Sequence, residues 1–407
     1  MSLRNLLSSP NASTSLRAEN AGALARAYLH GEFAGEERDE AENLLFSLLD
    51  DPSALVRRAL AESLASAESA PSGLVLGLAC DRSDIAALVL SRSPLLSDEQ
   101  LIDCAAIGEC AAQTAIASRP RLSAAVSGAL AEIGSREALI ALAANEAANL
   151  PGFTLRRMIE RFGADGRLRE ALLGRAWLPA SARAALTAAV ARSLAELVVE
   201  RHWLSPARAE RLTRDSADRA LMIIAAGAAA YSDETASLAA YLRSSGQLTA
   251  GLALRALLCG QTALFEATLV ELTGLSPRRV AGLITDPASN AFAAVYAEAG
   301  LPPCLSPAFQ TALTALARIA SEQTGADDAL NLGVVQAVLR RCETAGDEAL
   351  DRLIPLLRRF ETEAAREKGR RSLERMKQET MAAAPAAPEQ PKTVPDLTAL
   401  EKELIAA

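Results

Sequence analysis

Apolar side chains recur along most of this chain at the three- and four-residue intervals of an amphipathic helix, and the run from Asp50 to Ala65 shows the pattern most plainly. Val56, Leu60 and Leu64 fall on one helical face, while Arg57, Arg58 and Glu62 take the other, with Arg58 and Glu62 at the i,i+4 spacing of an ion pair. A helix of this length cannot bury its stripe alone, so the pattern requires neighbouring helices stacked against it. Unit starts fall near Asp50, Asp81, Arg119 and Leu150, which are 31, 38 and 31 residues apart and predict four degenerate helix pairs. Two second helices carry their own start signals. Ser97-Asp98-Glu99-Gln100 forms a capping box ahead of Leu101, Ile102 and Ala105, and Ser135-Arg136-Glu137-Ala138 precedes Leu139, Ile140 and Leu142.

The spacing loses its regularity near Leu194, and a different punctuation takes over. Ser205-Pro206, Ser276-Pro277 and Ser306-Pro307 each read as a helix start, with Ser placed to accept first-turn amides and Pro at a position that needs no donor. Gly260, Gly274 and Gly300 close the matching helices as left-handed C-caps. From Arg358 to Lys377 charged residues crowd what is expected to be a solvated or projecting helix, ending near Met381. An Ala/Pro-rich tether follows, then a short amphipathic helix with Leu397, Leu400 and Leu404 on one face, a layout suited to docking in a partner's groove. The expected organisation is a loose N-terminus over 1–20, helical repeats over 21–193, and a second helical domain continuing the stack over 194–355. A charged helix over 356–381 and the tether with its short helix over 382–407 complete it.

Composition sharpens the fold class. The chain has 407 residues and is 50% hydrophobic but only 3% aromatic, the apolar share being mostly Ala and Leu, which favour close helix packing over sheets. An all-α fold, an α-solenoid of stacked helix pairs with a second irregular helical half, is the expectation. The 42 basic and 50 acidic residues give a net charge of -8, which repels nucleic acid and offers anionic membranes no general attraction. No apolar run approaches the roughly 20 residues that span a bilayer, and no secretory leader is evident, so cytoplasm is the expected compartment. Cys80, Cys104, Cys110, Cys259, Cys304 and Cys342 lie in apolar helical segments without CxxC spacing, as reduced core residues would.

Candidate chemistry is sparse. The only histidines, His30 and His202, sit at predicted helix ends, and no HExxH, GxSxG or phosphate-cradling Gly-rich motif occurs. The carboxylate pairs Asp50-Asp51, Glu36-Glu37 and Asp327-Asp328 fit helix starts and exposed turns, and Glu266 fits an outward position beside inward Phe265 and Leu269. No catalytic residue, metal site or cofactor is therefore expected. The strongest charge feature is Arg156 to Arg192, eight arginines against Glu160, Asp165 and Glu170. On a solenoid, Arg156, Arg157 and Arg161 are placed to line a concave groove for an acidic peptide, a phosphorylated partner or a nucleic-acid backbone, and the acidic stretch from Glu32 to Asp51 gives the chain an opposite pole suited to guiding head-to-tail or partner contacts. Trp177 and Trp203 stand at helix-to-turn junctions, as corner-packing side chains do.

The Asp-Pro start and Val-Arg pair of the opening run resemble HEAT repeats. The segments Leu254-Arg255-Ala256-Leu257-Leu258-Cys259-Gly260, Leu264-Phe265-Glu266-Ala267 and Leu272-Thr273-Gly274, with Ser93-Pro94-Leu95-Leu96-Ser97-Asp98 upstream, resemble a bacterial family of helical-repeat proteins that is known only as a domain of unknown function. The resemblance spans about residues 40 to 320 and implies a cytoplasmic HEAT-like solenoid without assigned functional residues. The function expected is a non-enzymatic interaction scaffold that binds a protein partner through Arg156, Arg157 and Arg161 and through Leu397, Leu400 and Leu404. The alternatives are a nucleic-acid-binding protein similar to helical-repeat DNA glycosylases, and a small-molecule sensor with a pocket near Trp203.

Overall fold

A computed structural model describes residues 13–321, 330–345, 348–351 and 353–383. Among them the protein is all-α, and its single β contact is an isolated bridge between Leu122 and Ala148. The N-terminal helices are α1 (Thr14–Leu29), α2 (Glu36–Ser47), α3 (Ala54–Leu64), α4 (Ser72–Ala79), α5 (Ser83–Arg92) and α6 (Asp98–Ile107). They continue with α7 (Cys110–Ala117), α8 (Ala124–Ile133), α9 (Arg136–Ala144), α10 (Gly152–Phe162), α11 (Gly166–Leu173) and the long α12 (Ala180–Glu200). Helix α3 buries the expected Val56, Leu60 and Leu64, and Arg58 pairs with Glu62 at 3.0 Å on its outer side.

Packing skips one helix at each step. In one layer α1 meets α3, α3 meets α5, α5 meets α7, α7 meets α9 and α9 meets α11, while in the other α6, α8, α10 and α12 follow one another in the same way. This two-layer order is how short amphipathic helices cover each other's stripes. First-layer helices start at Ala54, Ser83, Cys110, Arg136 and Gly166, so the repeat is 29, 27, 26 and 30 residues rather than the 31, 38 and 31 expected. The discrepancy is α7, which the 38-residue interval absorbed. Its N-cap Glu109 makes no side-chain capping bond, so nothing in the sequence marks its start. By contrast Ser97 forms the expected capping box with Gln100, and Ser135 accepts from the Ala138 amide.

Side chains lash successive turns of the stack together. The guanidinium of Arg119, buried just past α7, donates to the carbonyls of Leu90 at 2.5 Å and Ser93 at 2.6 Å at the end of α5. Asn145, past α9, donates to Ala117 and Arg119, both at 2.8 Å. Arg175, past α11, reaches the carbonyls of Ala143 at 3.1 Å, Asn145 at 2.8 Å and Ala148 at 3.3 Å. The last carbonyls of a helix have no intrahelical donor, and here α5, α7 and α9 each receive one from the unit that follows.

Beyond the stack lie α13 (Pro206–Ala228), α14 (Ser232–Ser244), α15 (Ala250–Leu258), α16 (Thr262–Thr273), α17 (Pro277–Ile284) and α18 (Asn290–Glu298), then α19 (Ser306–Ser321), α20 (Leu332–Ala345), α21 (Glu348–Asp351) and α22 (Ile354–Ala383). Pro206 and Pro277 take the first helical position, yet neither Ser205 nor Ser276 makes the side-chain cap bond expected of it. Gly274 closes α16 at φ 70°, a left-handed conformation that a Cβ would strain. Two apolar clusters meet at α15 and α16. The first runs from Ala21 to Leu264 and is built mainly of Ala and Leu; the second holds Phe265, Phe292, Tyr296 and Phe309, with Phe265 and Phe309 centroids 5.6 Å apart. Helix α22 is not the solvated rod expected from its charge. Leu357, Phe360 and Ala364 form a narrow stripe at helical spacing that docks its first third on the second cluster.

Candidate functional site

Two arginine-rich surfaces stand out in the sequence, and the structure treats them differently. In the first, α10 places Arg157 and Arg161 one turn apart on one face, with Arg156 turned away from them. Arg157 pairs with Glu132 at 2.8 Å and Glu160 at 3.4 Å, and Arg161 donates to the Ala131 carbonyl at 2.8 Å. Arg169 closes its own loop on the carbonyls of Gly163 and Ala164. Arg156 is exposed, beside exposed Phe153, at the mouth of a small depression shared with Ser181, Ser237 and Tyr241. The expected trio is thus not gathered on one open face, since two of the three side chains are engaged within the stack. Leu397, Leu400 and Leu404 lie outside the described residues.

The second surface is a cleft of about 590 Å³ between α13, α15 and α22. Its floor is Met222, Ile223, Cys259 and Leu330, and its walls carry Arg219, Arg255, Arg359, Arg366, Arg370 and Arg371 with Glu363 and Glu367. Arg255 is the anchor. It sits inside the apolar run of α15 at 4% exposure, stacks 4.8 Å from the centroid of the Phe360 ring and reaches Glu363 at 3.3 Å. Its Nε is buried without a hydrogen-bond partner among the described residues. Glu363 also takes Arg219 at 2.7 Å, and Arg359 pairs with Asp215, so α22 is latched to α13 along one edge. Arg370 and Arg371 pair with Glu367 at 2.9 and 3.0 Å. Arg366 is exposed and makes no ion pair among the described residues.

Burial governs the titrating groups here. It pushes the Cys259 thiol up to about 12, so this cysteine is a neutral part of the floor and no nucleophile at neutral pH. It also raises Asp218, and the nearby Arg255 only partly opposes that. Sequence reasoning missed this cleft because its walls come from segments more than 100 residues apart. One signal was present: Arg255 is a cation set within Leu252–Cys259, where an outward position is not available.

Elsewhere the expectations fare unevenly. His30 and His202 are exposed at helix ends, and His202 is the one non-glycine with positive φ, at 57°, among the described residues. Trp177 and Trp203 do not pack into corners; both rings are open to solvent, Trp203 at 69% exposure. Cys104, Cys259 and Cys342 are core residues as expected, whereas Cys80 and Cys110 are exposed. Beyond the core of α12, which ends at Ala189, and before that of α13, which resumes at Leu221, only Ala209 is buried. This leaves Leu194, Leu197, Trp203 and Leu212 exposed around the tip of an α12–α13 hairpin. Among the described residues no cluster of His, Cys, Asp or Glu is arranged to hold a metal ion, and no helix is long and apolar enough to cross a membrane.

Comparison with curated proteins and with solved structures returns no match. A family profile does match residues 85–346, from α5 to the end of α20, which takes in the floor of the cleft and most but not all of both apolar clusters, and stops short of α22. On that match over well more than half its length, the chain belongs to the bacterial family described as an uncharacterised protein conserved in bacteria (DUF2336).

Proposed function

We propose that the protein is a non-enzymatic, HEAT-like interaction scaffold of the bacterial cytoplasm, and that it grips a protein partner with the α12–α13 hairpin. The observation that carries this reading is the hairpin tip. Leu194, Leu197, Trp203 and Leu212 are all exposed along the outer part of the hairpin, interspersed in sequence with the exposed charges Arg192, Glu196, Arg208 and Arg211. An apolar centre with a charged rim is the make-up of an interface, and a tryptophan is the commonest kind of energetic anchor. The turn that presents Trp203 holds His202 in a left-handed conformation, a local strain that a tight loop between two rigid helices sustains. Arg156 and Phe153 on α10 are a second, smaller contact in this reading, and Leu397, Leu400 and Leu404 a third.

The test is affinity capture from the native cell with the full chain and with a Leu197→Ser, Trp203→Ser, Leu212→Ser variant, both checked by light scattering for self-association. A protein retained by the wild type and lost by the variant supports the scaffold. Equal capture by both, or no protein with either, overturns the hairpin as the contact.

A further inference from the structure

We infer that the cleft under α22 is a binding site for a phosphorylated small molecule whose phosphate meets the arginine wall and whose apolar body lies on Met222, Ile223 and Leu330. This goes beyond the scaffold reading and does not depend on it, since the hairpin patch and the cleft share no residue.

Four observations converge. The first is charge. Among the described residues six arginines line the cleft against two lining carboxylates, Glu363 and Glu367, while Asp215, paired with Arg359, and Asp218, near Arg214 and Arg255, lie beside it. This excess of cations suits a phosphomonoester, which carries close to two negative charges at neutral pH. The second is the unpaired donor. Arg255 is held by the Phe360 ring and by Glu363, yet its Nε is buried and unpartnered, and a buried N–H of a charged group is costly unless something accepts it. Arg366, exposed on the opposite wall, is a second cation with no ion pair among the described residues.

The third observation is the floor. Ile223 is 68% exposed in an otherwise buried stretch of α13, and with Met222, Cys259 and Leu330 it makes an apolar bed directly below the cations. Inorganic phosphate has no use for such a bed; a phosphate on an organic body does. The fourth is size. A volume of about 590 Å³ falls in the middle of the range for small-molecule pockets, large enough for a mononucleotide and too small for a folded partner. Guanidinium groups are suited to the task because their planar forks donate to two phosphate oxygens at once.

The site is also placed to matter mechanically. Glu363 now occupies the position of an anion between Arg219 and Arg255, so an incoming phosphate competes with the carboxylate that latches α22 to α13.

Isothermal titration of the full chain with phenyl phosphate, adenosine monophosphate, inorganic phosphate and adenosine, at about 50 mM and about 300 mM salt, tests the assignment. The expected result is binding of at least one of the two organic phosphates, about tenfold or more tighter than inorganic phosphate, weakened by salt, with adenosine silent. Arg366→Gln and Ile223→Glu, both at exposed positions, are expected to keep the wild-type thermal midpoint and to weaken that binding about tenfold. Binding by neither organic phosphate at millimolar concentration overturns the proposal. So does adenosine binding as well as its monophosphate, or affinity unchanged in both variants. A phosphoserine peptide that binds while both small phosphates fail likewise overturns it, in favour of a protein ligand.

Discussion

The arginines of α10–α11 and those of α22 are equally dense in the sequence and serve different ends. Around α10 and α11 most guanidinium groups are absorbed by the fold: Arg175 ties the end of α9, Arg161 the end of α8, and Arg157 two glutamates. Around α22 the arginines pair too, but across a gap, so their surplus charge faces an open cleft instead of a helix end. The lesson is that arginine density does not locate a functional surface. What separates the two regions is the local supply of acceptors. Short helices in a stack end every few residues and offer free carbonyls in abundance, whereas a long continuous helix such as α22 consumes its own carbonyls and leaves its cations to face acids or ligands.

The largest test of this contrast is Arg119→Ala. Arg119 is buried and donates to two carbonyls at the end of α5, so its loss strands both and opens a gap between units. Urea unfolding is expected to show a loss of about 3 kcal/mol, the upper range for removing a charged donor from a buried pair of acceptors. Lysine at this position is expected to recover less than half of that, because a single ammonium cannot reproduce the fork. A loss under about 0.5 kcal/mol would show that the carbonyl ladder does not hold the stack.

Next in size is Arg255→Ala, which removes the cation under α22. Glu363 keeps Arg219, so the expected loss is smaller, about 2 kcal/mol, and confined to the docking of α22. Hydrogen exchange is expected to rise through 357–371 on α22 and to stay unchanged in α5, α7 and α9. Uniform acceleration throughout the chain would mean that α22 is no separate latch but part of one cooperative core.

How far the sequence foretold all this follows from the same physics. The all-α class, the buried face of α3, the capping box at Ser97 and the left-handed ends at Gly260, Gly274 and Gly300 were legible, because each depends on residues within two turns of one another. Helix α7 was not, since Glu109 gives no cap signal and the helix is only eight residues long. The docking of α22 was hidden because three buried apolar residues, Leu357, Phe360 and Ala364, are interleaved with four charges, Arg358, Arg359, Glu361 and Glu363. Trp177 and Trp203 were misjudged for a different reason. Position at a helix junction says nothing about which way a ring points, and both point outward. The cleft joins segments that no local pattern connects.

The stack, at Asp81, and the cleft, at Asp218, also respond oppositely to pH. Burial by itself would raise Asp81, but hydrogen bonds from Arg57 and from the Arg82 amide outweigh it and hold the carboxyl below its usual range. Its contribution is therefore present above about pH 4, the unfolded value, and lost as pH falls through the lower folded value. Asp218 beside the cleft is raised by burial, so its ionised form opposes folding, and stability from this group increases as pH falls through its folded value. Asp81→Asn is expected to cost about 2 kcal/mol at pH 7, and Asp218→Asn to add about 1 kcal/mol, with both differences shrinking toward pH 3.5. Urea unfolding at pH 7, 5 and 3.5 reads the signs. Two substitutions with the same sign at pH 7 would remove the electrostatic distinction between the stack and the cleft.

The smallest expected effect is the sharpest check on the reading of α10. Arg157 pairs with Glu132 and Glu160, but both glutamates and the arginine itself are well exposed, so water and salt screen the attraction. Arg157→Ala is therefore expected to leave the unfolding midpoint within experimental error at physiological salt. At low salt a slight loss is expected to emerge, because screening is the only thing that hides the pair. Arg161 differs on one point: its acceptor is a backbone carbonyl at the end of α8, where no other donor is at hand. Arg161→Ala is accordingly expected to lower the midpoint measurably at every salt concentration. If both variants behave alike, the distinction between arginines that close a helix end and arginines that decorate a surface fails at the one place where both sit on the same helical face.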